Sequence, residues 1–189
     1  MLENARGRKS SREKILDAAA ELVAEIGAGR LTLEAVAERA GLSKGGLLYN
    51  FPTKDALLQA MIQRMIDQVS ESKEALRAQM EPGPNLEARV ATTSLLNMCC
   101  DGKMQEIATG MMAAAAENPR LLDPVRQVIA ATVEQIESSS DDVEAALLGW
   151  LAVEGLSNLE MHNLSPFSDQ DRERIVGMIN RLLTKGIAP

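Results

Sequence analysis

Apolar residues recur at helical spacing along almost the whole chain. Ile15, Ala18, Ala19, Leu22, Val23 and Ile26 fall on one face of a predicted helix that begins at Ser11 and is stopped by Gly27 and Gly29. Leu33, Val36, Ala37 and Ala40 form a second, shorter stripe behind the N-capping Thr32, and Gly41 ends it. Ser43 caps a third segment that is too short to be stable alone, so Leu42 in the turn, Leu47 and Phe51 must pack on its neighbours. Pro52 breaks that segment. Thr53 then caps a long helix, which Leu57, Leu58, Met61, Ile62, Met65, Ile66 and Val69 carry to about Met80.

The run Glu81-Pro-Gly-Pro-Asn85 is the clearest interruption and marks a loop. Beyond it the pattern predicts helices over Leu86 to Cys100, Lys103 to Glu117, and Pro119 to Glu137. The last of these has Asn118 as its cap, and Pro124 starts or bends it. From Asp141 to Asn163 apolar residues cover nearly the whole circumference, which predicts burial on every side and, in so small a body, a second copy of the chain to provide it. A final helix from Asp169 to Lys185 lies between Ser168 as cap and Gly186 as stop. No alternating β-branched run appears, so the predicted class is all-α. The architecture is an N-terminal three-helix head (residues 1–54) joined by a long helix to a helical body (residues 55–189).

Thr32 to Phe51 has the form of a helix-turn-helix. Its outward face carries Ser43, Lys44, Gly45, Leu48, Tyr49 and Asn50: hydrogen-bond donors, a cation and an aromatic hydroxyl, the groups that contact phosphates and base edges. Gly45 and Gly46 let backbone approach another surface closely. Lys54, at the start of the next helix, stands where helix-terminal amides favour a phosphate. Two short helices with a turn glycine also occur in unrelated all-helical proteins, and the flanking residues decide between these readings.

REKILDAAAELVAEIG, LTLEAVAERAGLSKGGLLYNF and PTKDALLQAM, spanning about Arg12 to Met61, together resemble the TetR family of bacterial transcriptional regulators. The family places a phosphate-contacting aromatic and usually a histidine just before the phenylalanine, where this chain has Tyr49 and Asn50. Leu48 stands where a second aromatic is often found. The resemblance implies Lys44, Gly45, Gly46 and Leu48 facing bases, with Thr32, Ser43, Tyr49, Asn50 and Lys54 holding phosphates. It also implies a homodimer joined through residues about 141–185 as a four-helix interface, so that two heads read a two-fold symmetric operator in double-stranded DNA. The implied function is a repressor released from its operator by a small-molecule effector. The alternatives are an activator of the same family, or a helical small-molecule-binding protein without operator-specific DNA binding.

Charge fits that division. The net charge is −7, yet residues 1–54 hold nine Lys or Arg against seven acids, and the remainder holds 11 against 20. A mildly basic head on an acidic body orients the molecule toward the phosphate backbone. Arg6, Arg8 and Lys9 could follow a minor groove or be a plain solvated tail. Aromatics are only 2% of residues, so the core is built from Leu, Ile, Val, Ala and ten Met. Cys99 and Cys100 are adjacent and lack a CxxC partner, which predicts buried thiols rather than a disulfide or zinc site. No secretory signal or membrane-crossing run is present, and a cytoplasmic location is expected. No phosphate loop, metal spacing or nucleophile motif appears, and the single histidine, His162, limits acid–base options, so neither catalysis nor a cofactor or metal is expected.

Effector chemistry has thinner support in the sequence. Glu154 is the only charge between Ala145 and Leu159 and lies one turn after the sole tryptophan, Trp150. A buried carboxylate needs a partner. It faces either an effector, lipophilic or cationic, with Trp150 against its apolar part, or an arginine of the same chain, or the solvent edge of the dimer seam. Met111 and Met112, beside Gly110 and four alanines, line an adaptable cavity or pack in the core.

Overall fold

The computed structural model describes residues 10–186, and among them every regular element is helical. The basic tail residues Arg6, Arg8 and Lys9 lie outside the described residues. The helices are α1 (Ser11–Ile26), α2 (Leu33–Arg39), α3 (Lys44–Asn50), α4 (Lys54–Gln79), α5 (Leu86–Cys100), α6 (Gly102–Glu117), α7 (Asp123–Ser139), α8 (Val143–Met161) and α9 (Asp169–Lys185). None of them is long and apolar enough to cross a membrane. The chain folds as two compact units, the first comprising residues up to Arg64 together with Glu106–Leu121, and the second Met65–Gln105 with Leu122 onward.

In the first unit the expected stripes meet. Ile15, Leu16 and Val23 of α1, Val36 of α2, Leu47 of α3, and Leu57 and Met61 of α4 are all buried, with Phe51 closing the end of α3. Arg39 holds α2 to α1 by hydrogen bonds of 2.8 Å to both carboxylate oxygens of Glu25. Arg64 of α4 holds α1 through Asp17 at 2.8 Å and the Leu16 carbonyl at 2.9 Å. Arg12 stacks over the Phe51 ring, 5.3 Å from its centre. Residues of α6 complete the unit. Met111, Ala114 and Ala115 are buried, and a Cβ at Gly110 would stand 2.6 Å from Val23 Cγ1, so α1 and α6 approach more closely than a side chain there permits.

The second unit packs Ala88 and Ala91 of α5, Ile136 of α7, Ala146, Trp150 and Val153 of α8, and Ile179 and Leu183 of α9 into one core. Gly149 lets α9 close on α8, since a Cβ there would meet Leu183 Cδ2 at 2.6 Å. Asn85, which the sequence marks only as the end of a loop, is a buried tie. It sits in the left-handed region at φ +50°, its amide donates to the Leu183 carbonyl at 3.0 Å, and its oxygen accepts from the Asp142 N–H at 3.0 Å.

Two expectations need correction. The helix predicted over Pro119 to Glu137 is a 3-10 turn, Pro119–Leu122, followed by α7 with Pro124 in its first turn. Pro124 has no N–H for an intrahelical bond and its ring crowds the preceding turn, so the α-helix can only start there. Asn118 does not cap α7, because that helix starts at Asp123 with Leu122 in the cap position, and the Asn118 amide instead donates to Asp55 Oδ2 at 3.1 Å. On α8 the outward stripe Leu148, Leu151 and Leu159 stays exposed within the single chain, at 53%, 56% and 36%, and Met178 of α9 is 54% exposed.

Candidate nucleic-acid interface and effector site

The reading segment is built by its caps. Thr32 Oγ1 accepts from the Ala35 N–H at 3.2 Å and Ser43 Oγ from the Gly46 N–H at 3.1 Å, satisfying amides that would otherwise be orphaned at the starts of α2 and α3. Gly41, at φ +66°, makes the turn between them. With Leu47 buried beneath it, α3 presents Ser43, Lys44, Gly45 and Tyr49 to solvent, and Tyr49 is 91% exposed. Thr32 is exposed, while Gly46, Leu48, Asn50 and Lys54 are half-buried. A Cβ at Gly45 would point into open space, so this glycine leaves a gap on the surface rather than in the core.

Several of these side chains already have partners. Lys44 Nζ lies 2.6 Å from Glu34 Oε1 on α2, and that ammonium holds the Glu34 carboxyl below its ordinary pKa. Asn50 donates to the Gly46 carbonyl at 2.9 Å, and Lys54 Nζ donates to the Gly29 carbonyl at 2.8 Å. Each keeps further N–H donors beyond those bonds. The partnership of Glu34 with Lys44 was not read from the sequence, where ten positions and a turn separate them.

In the second unit, Trp150 is 8% exposed and belongs to the core. Glu154 is half-buried, and its carboxyl accepts no hydrogen bond among the described residues. Burial raises its pKa above the usual carboxylate range, and Lys73 pulls it part of the way back. The cation whose charge lowers it is Lys73 of α4. Lys73 is itself half-buried, and its Nζ donates to Thr132 Oγ1 at 3.1 Å. Burial pushes its pKa down, which Glu154 opposes. Beside it, Arg77 grips both oxygens of Glu87 at 2.7 and 2.5 Å, and Gln135 donates to the same carboxylate at 2.8 Å.

One turn beyond Glu154 on α8, Ser157 is 1% exposed and its hydroxyl has no partner among the described residues. Sequence reasoning missed Lys73 and Ser157, since the first needs a long-range contact and the second is one of many serines. Met111 and Met112 lie in the first unit, one buried and one 45% exposed. His162 follows the end of α8 in an exposed position, and Glu160 is bound to Arg172 at 2.7 Å.

Comparison with known proteins covers both parts of the chain. Residues 15–61 match the bacterial regulatory proteins of the tetR family, and residues 87–184 match the tetracyclin repressor-like C-terminal domain. The HTH-type transcriptional regulator RutR of Escherichia coli K12 is 25% identical over 162 residues, which cover 86% of this chain and 72% of that one. Among solved structures, a TetR family member from Streptomyces coelicolor (SCO1917) superposes with a TM-score of 0.72 at 23% identity, over 93% of this chain and 99% of that one. The multidrug binding protein EbrR complexed with imidazole gives 0.66 at 20% identity, over 100% and 99%.

Proposed function

The chain belongs to the TetR family of bacterial regulatory proteins and is a ligand-responsive, DNA-binding transcriptional repressor, and we propose that residues 1–54 read its operator while residues 55–189 bind the effector and dimerise. The observation that carries the assignment of the DNA-reading residues is α3. It is a capped, buried-backed helix whose solvent side offers Lys44, Gly45 and Tyr49 and little apolar surface. On this reading Lys44, Gly45, Gly46 and Leu48 face bases, and Thr32, Ser43, Tyr49, Asn50 and Lys54 hold phosphates. Lys44 leaves Glu34 to do so, since an exposed pair of this kind is weak and exchanges partners readily.

The dimer forms through residues about 141–185. The stripe Leu148, Leu151 and Leu159 with Met178 is the apolar surface that a second copy would cover, placing two heads on a symmetric operator in the cytoplasm. The effector, lipophilic or cationic, meets Trp150 and Glu154. EbrR, whose solved complexes hold imidazole and ethidium, shows a similar fold with small aromatic ligands and lends support to a small-molecule reading. Effector binding would displace α4, which runs unbroken from Lys54 to Gln79, and the dimer would release its operator. The role is that of a regulator rather than an enzyme.

The test is DNA selection with the full chain, followed by fluorescence anisotropy on the selected sequence. Tyr49→Ala and Lys44→Ala together should abolish specific binding while leaving the fold intact. Coupling also has to be reciprocal, so the operator must weaken effector binding by the factor by which effector weakens operator binding. Specific binding that survives both substitutions would remove the head assignment, and equal effector affinity with and without operator would remove the coupling.

A further inference from the structure

Glu34 is an acid in a place where DNA makes acids costly. It stands two residues after Thr32, the cap of α2, and its Oε1 lies 2.6 Å from Nζ of Lys44, the first residue of α3. Both side chains are exposed, at 62% and 61%, so neither is held in place by packing. The other acids of the head that form ion pairs among the described residues lie on α1 and pair with Arg39 or Arg64, neither of which is on α3. Gly45, next to Lys44, adds no side chain, and a Cβ there would meet open space, so the pair is not crowded from that side.

Lys44 sets out for a base edge from contact with the Glu34 carboxylate, so the carboxylate is brought to the same edge. Phosphates repel it on every sequence. Base edges differ: guanine N7 and O6 and thymine O4 are acceptors that a carboxylate cannot use, while cytosine N4 and adenine N6 donate. Lys44 holds the Glu34 carboxyl below its ordinary pKa, so Glu34 meets DNA ionised and as an acceptor alone. The lysine has the opposite need. Guanine offers it two neighbouring acceptors, O6 and N7, and O6 is itself hydrogen-bonded to cytosine N4, about 2.9 Å away. A cation and a carboxylate 2.6 Å apart therefore match the acceptor and the donor of one G·C pair in spacing and in sign.

We propose that Lys44 and Glu34 together read one G·C base pair in each half-site, Lys44 exchanging Glu34 for guanine O6 and N7 while Glu34 accepts from cytosine N4. Glu34 is then a specificity residue. It opposes binding to any DNA and is compensated only where that cytosine amino group is present. The inference rests on the reading that α3 faces the bases of an operator, and it adds a side chain of α2 to the base-reading set.

The test is base-pair replacement in the operator selected by the full chain, read by fluorescence anisotropy at constant salt for the native chain, Glu34→Gln and Glu34→Ala. In the native chain, replacing one G·C pair of each half-site with A·T should weaken binding about tenfold or more. That loss should shrink to about threefold or less in Glu34→Gln, whose amide also fits adenine, and in Glu34→Ala, which leaves only Lys44 to read the pair. Random-sequence DNA should gain more affinity than the operator does in both variants, so the ratio of specific to non-specific binding falls. An acid that served only to stabilise the first turn of α2 would alter the melting temperature and leave base preference unchanged. If both variants discriminate at every position as the native chain does, or if the selected half-site contains no such G·C pair, the inference is overturned and the head assignment stands. If the native chain selects no sequence at all, the inference and the reading beneath it both fall.

Discussion

The two compact units handle polar groups differently. Among the described residues, every fully buried polar side chain lies in the second unit: Asn85, Thr92, Ser94 and Ser157. The first unit keeps its polar groups at or near the surface and pairs them there, Arg39 with Glu25 and Glu21, Arg64 with Asp17 and Glu13, Lys44 with Glu34. A surface pair exchanges partners at small cost, and phosphates offer better ones. A buried polar group must be satisfied inside the protein or by something that enters it. The first unit's charged groups are thus open to exchange at the surface, whereas Asn85 and Thr92 of the second are satisfied inside it.

The sharpest way to break this comparison is through Asn85. Asn85→Ala would orphan the Leu183 carbonyl and the Asp142 N–H and put a Cβ-bearing residue without a polar side chain at φ +50°, at a cost of about 3 kcal/mol in denaturant unfolding. Asn85→Gly should recover part of that loss, because glycine accepts the backbone angle but not the bonds. If the loss is under about 1 kcal/mol, buried polar groups are not what holds the second unit together. Tyr49→Ala, by contrast, should leave stability within about 0.5 kcal/mol, since the ring is 91% exposed, while weakening operator binding about tenfold or more. The two substitutions separate folding from reading.

Smaller effects sharpen the contrast. Glu34→Gln frees Lys44 and removes an acid beside α3, so operator affinity in anisotropy titrations should rise slightly, and the gain should shrink as salt is added. Glu154→Gln has the smallest expected effect and a defined pH dependence. Burial outweighs Lys73 in raising the folded pKa of Glu154, so the folded chain favours the protonated form. Stability linked to this group is present in full below the ordinary carboxylate pKa and is lost as pH rises through the higher folded value. The glutamine variant should therefore melt above the native chain at neutral pH, by no more than about 2 °C after allowance for solvent screening, and together with it near pH 4. A lower melting point at neutral pH would mean that the attraction to Lys73 dominates.

Much of the fold was legible because the chain punctuates its helices with caps and breakers. Thr32 before α2, Ser43 before α3, Thr53 before α4 and Ser168 before α9 all cap through their hydroxyls, and the predicted ends of α5 at Leu86 and Cys100 match the structure. The start of α7 was less clear because two prolines, Pro119 and Pro124, both suit a first turn, and the chain before the second closes as a 3-10 turn rather than as α-helix. For the candidate sites, residue types were legible and their partners were not. That Lys44 and Tyr49 lie outward follows from spacing on α3, but the ion pair with Glu34 depends on how two helices cross. That Glu154 needs a partner follows from its apolar surroundings, but nothing local to α8 indicates Lys73. Asn85 could be read as a turn residue, and only the close passage of the two chain segments that it joins makes it a tie.

The bonds of Asn85 run to residues 57 and 98 positions further along the chain. Contacts of such separation can close only after the intervening helices have found their places, because the entropy of closing so long a loop has to be met first. The tie is therefore expected to form after the rate-limiting step of folding, and its loss would appear in the unfolding rate rather than the folding rate. Asn85 sets how long the second unit stays shut once formed, which gives the protein a lifetime that can be altered without altering the speed at which it is made.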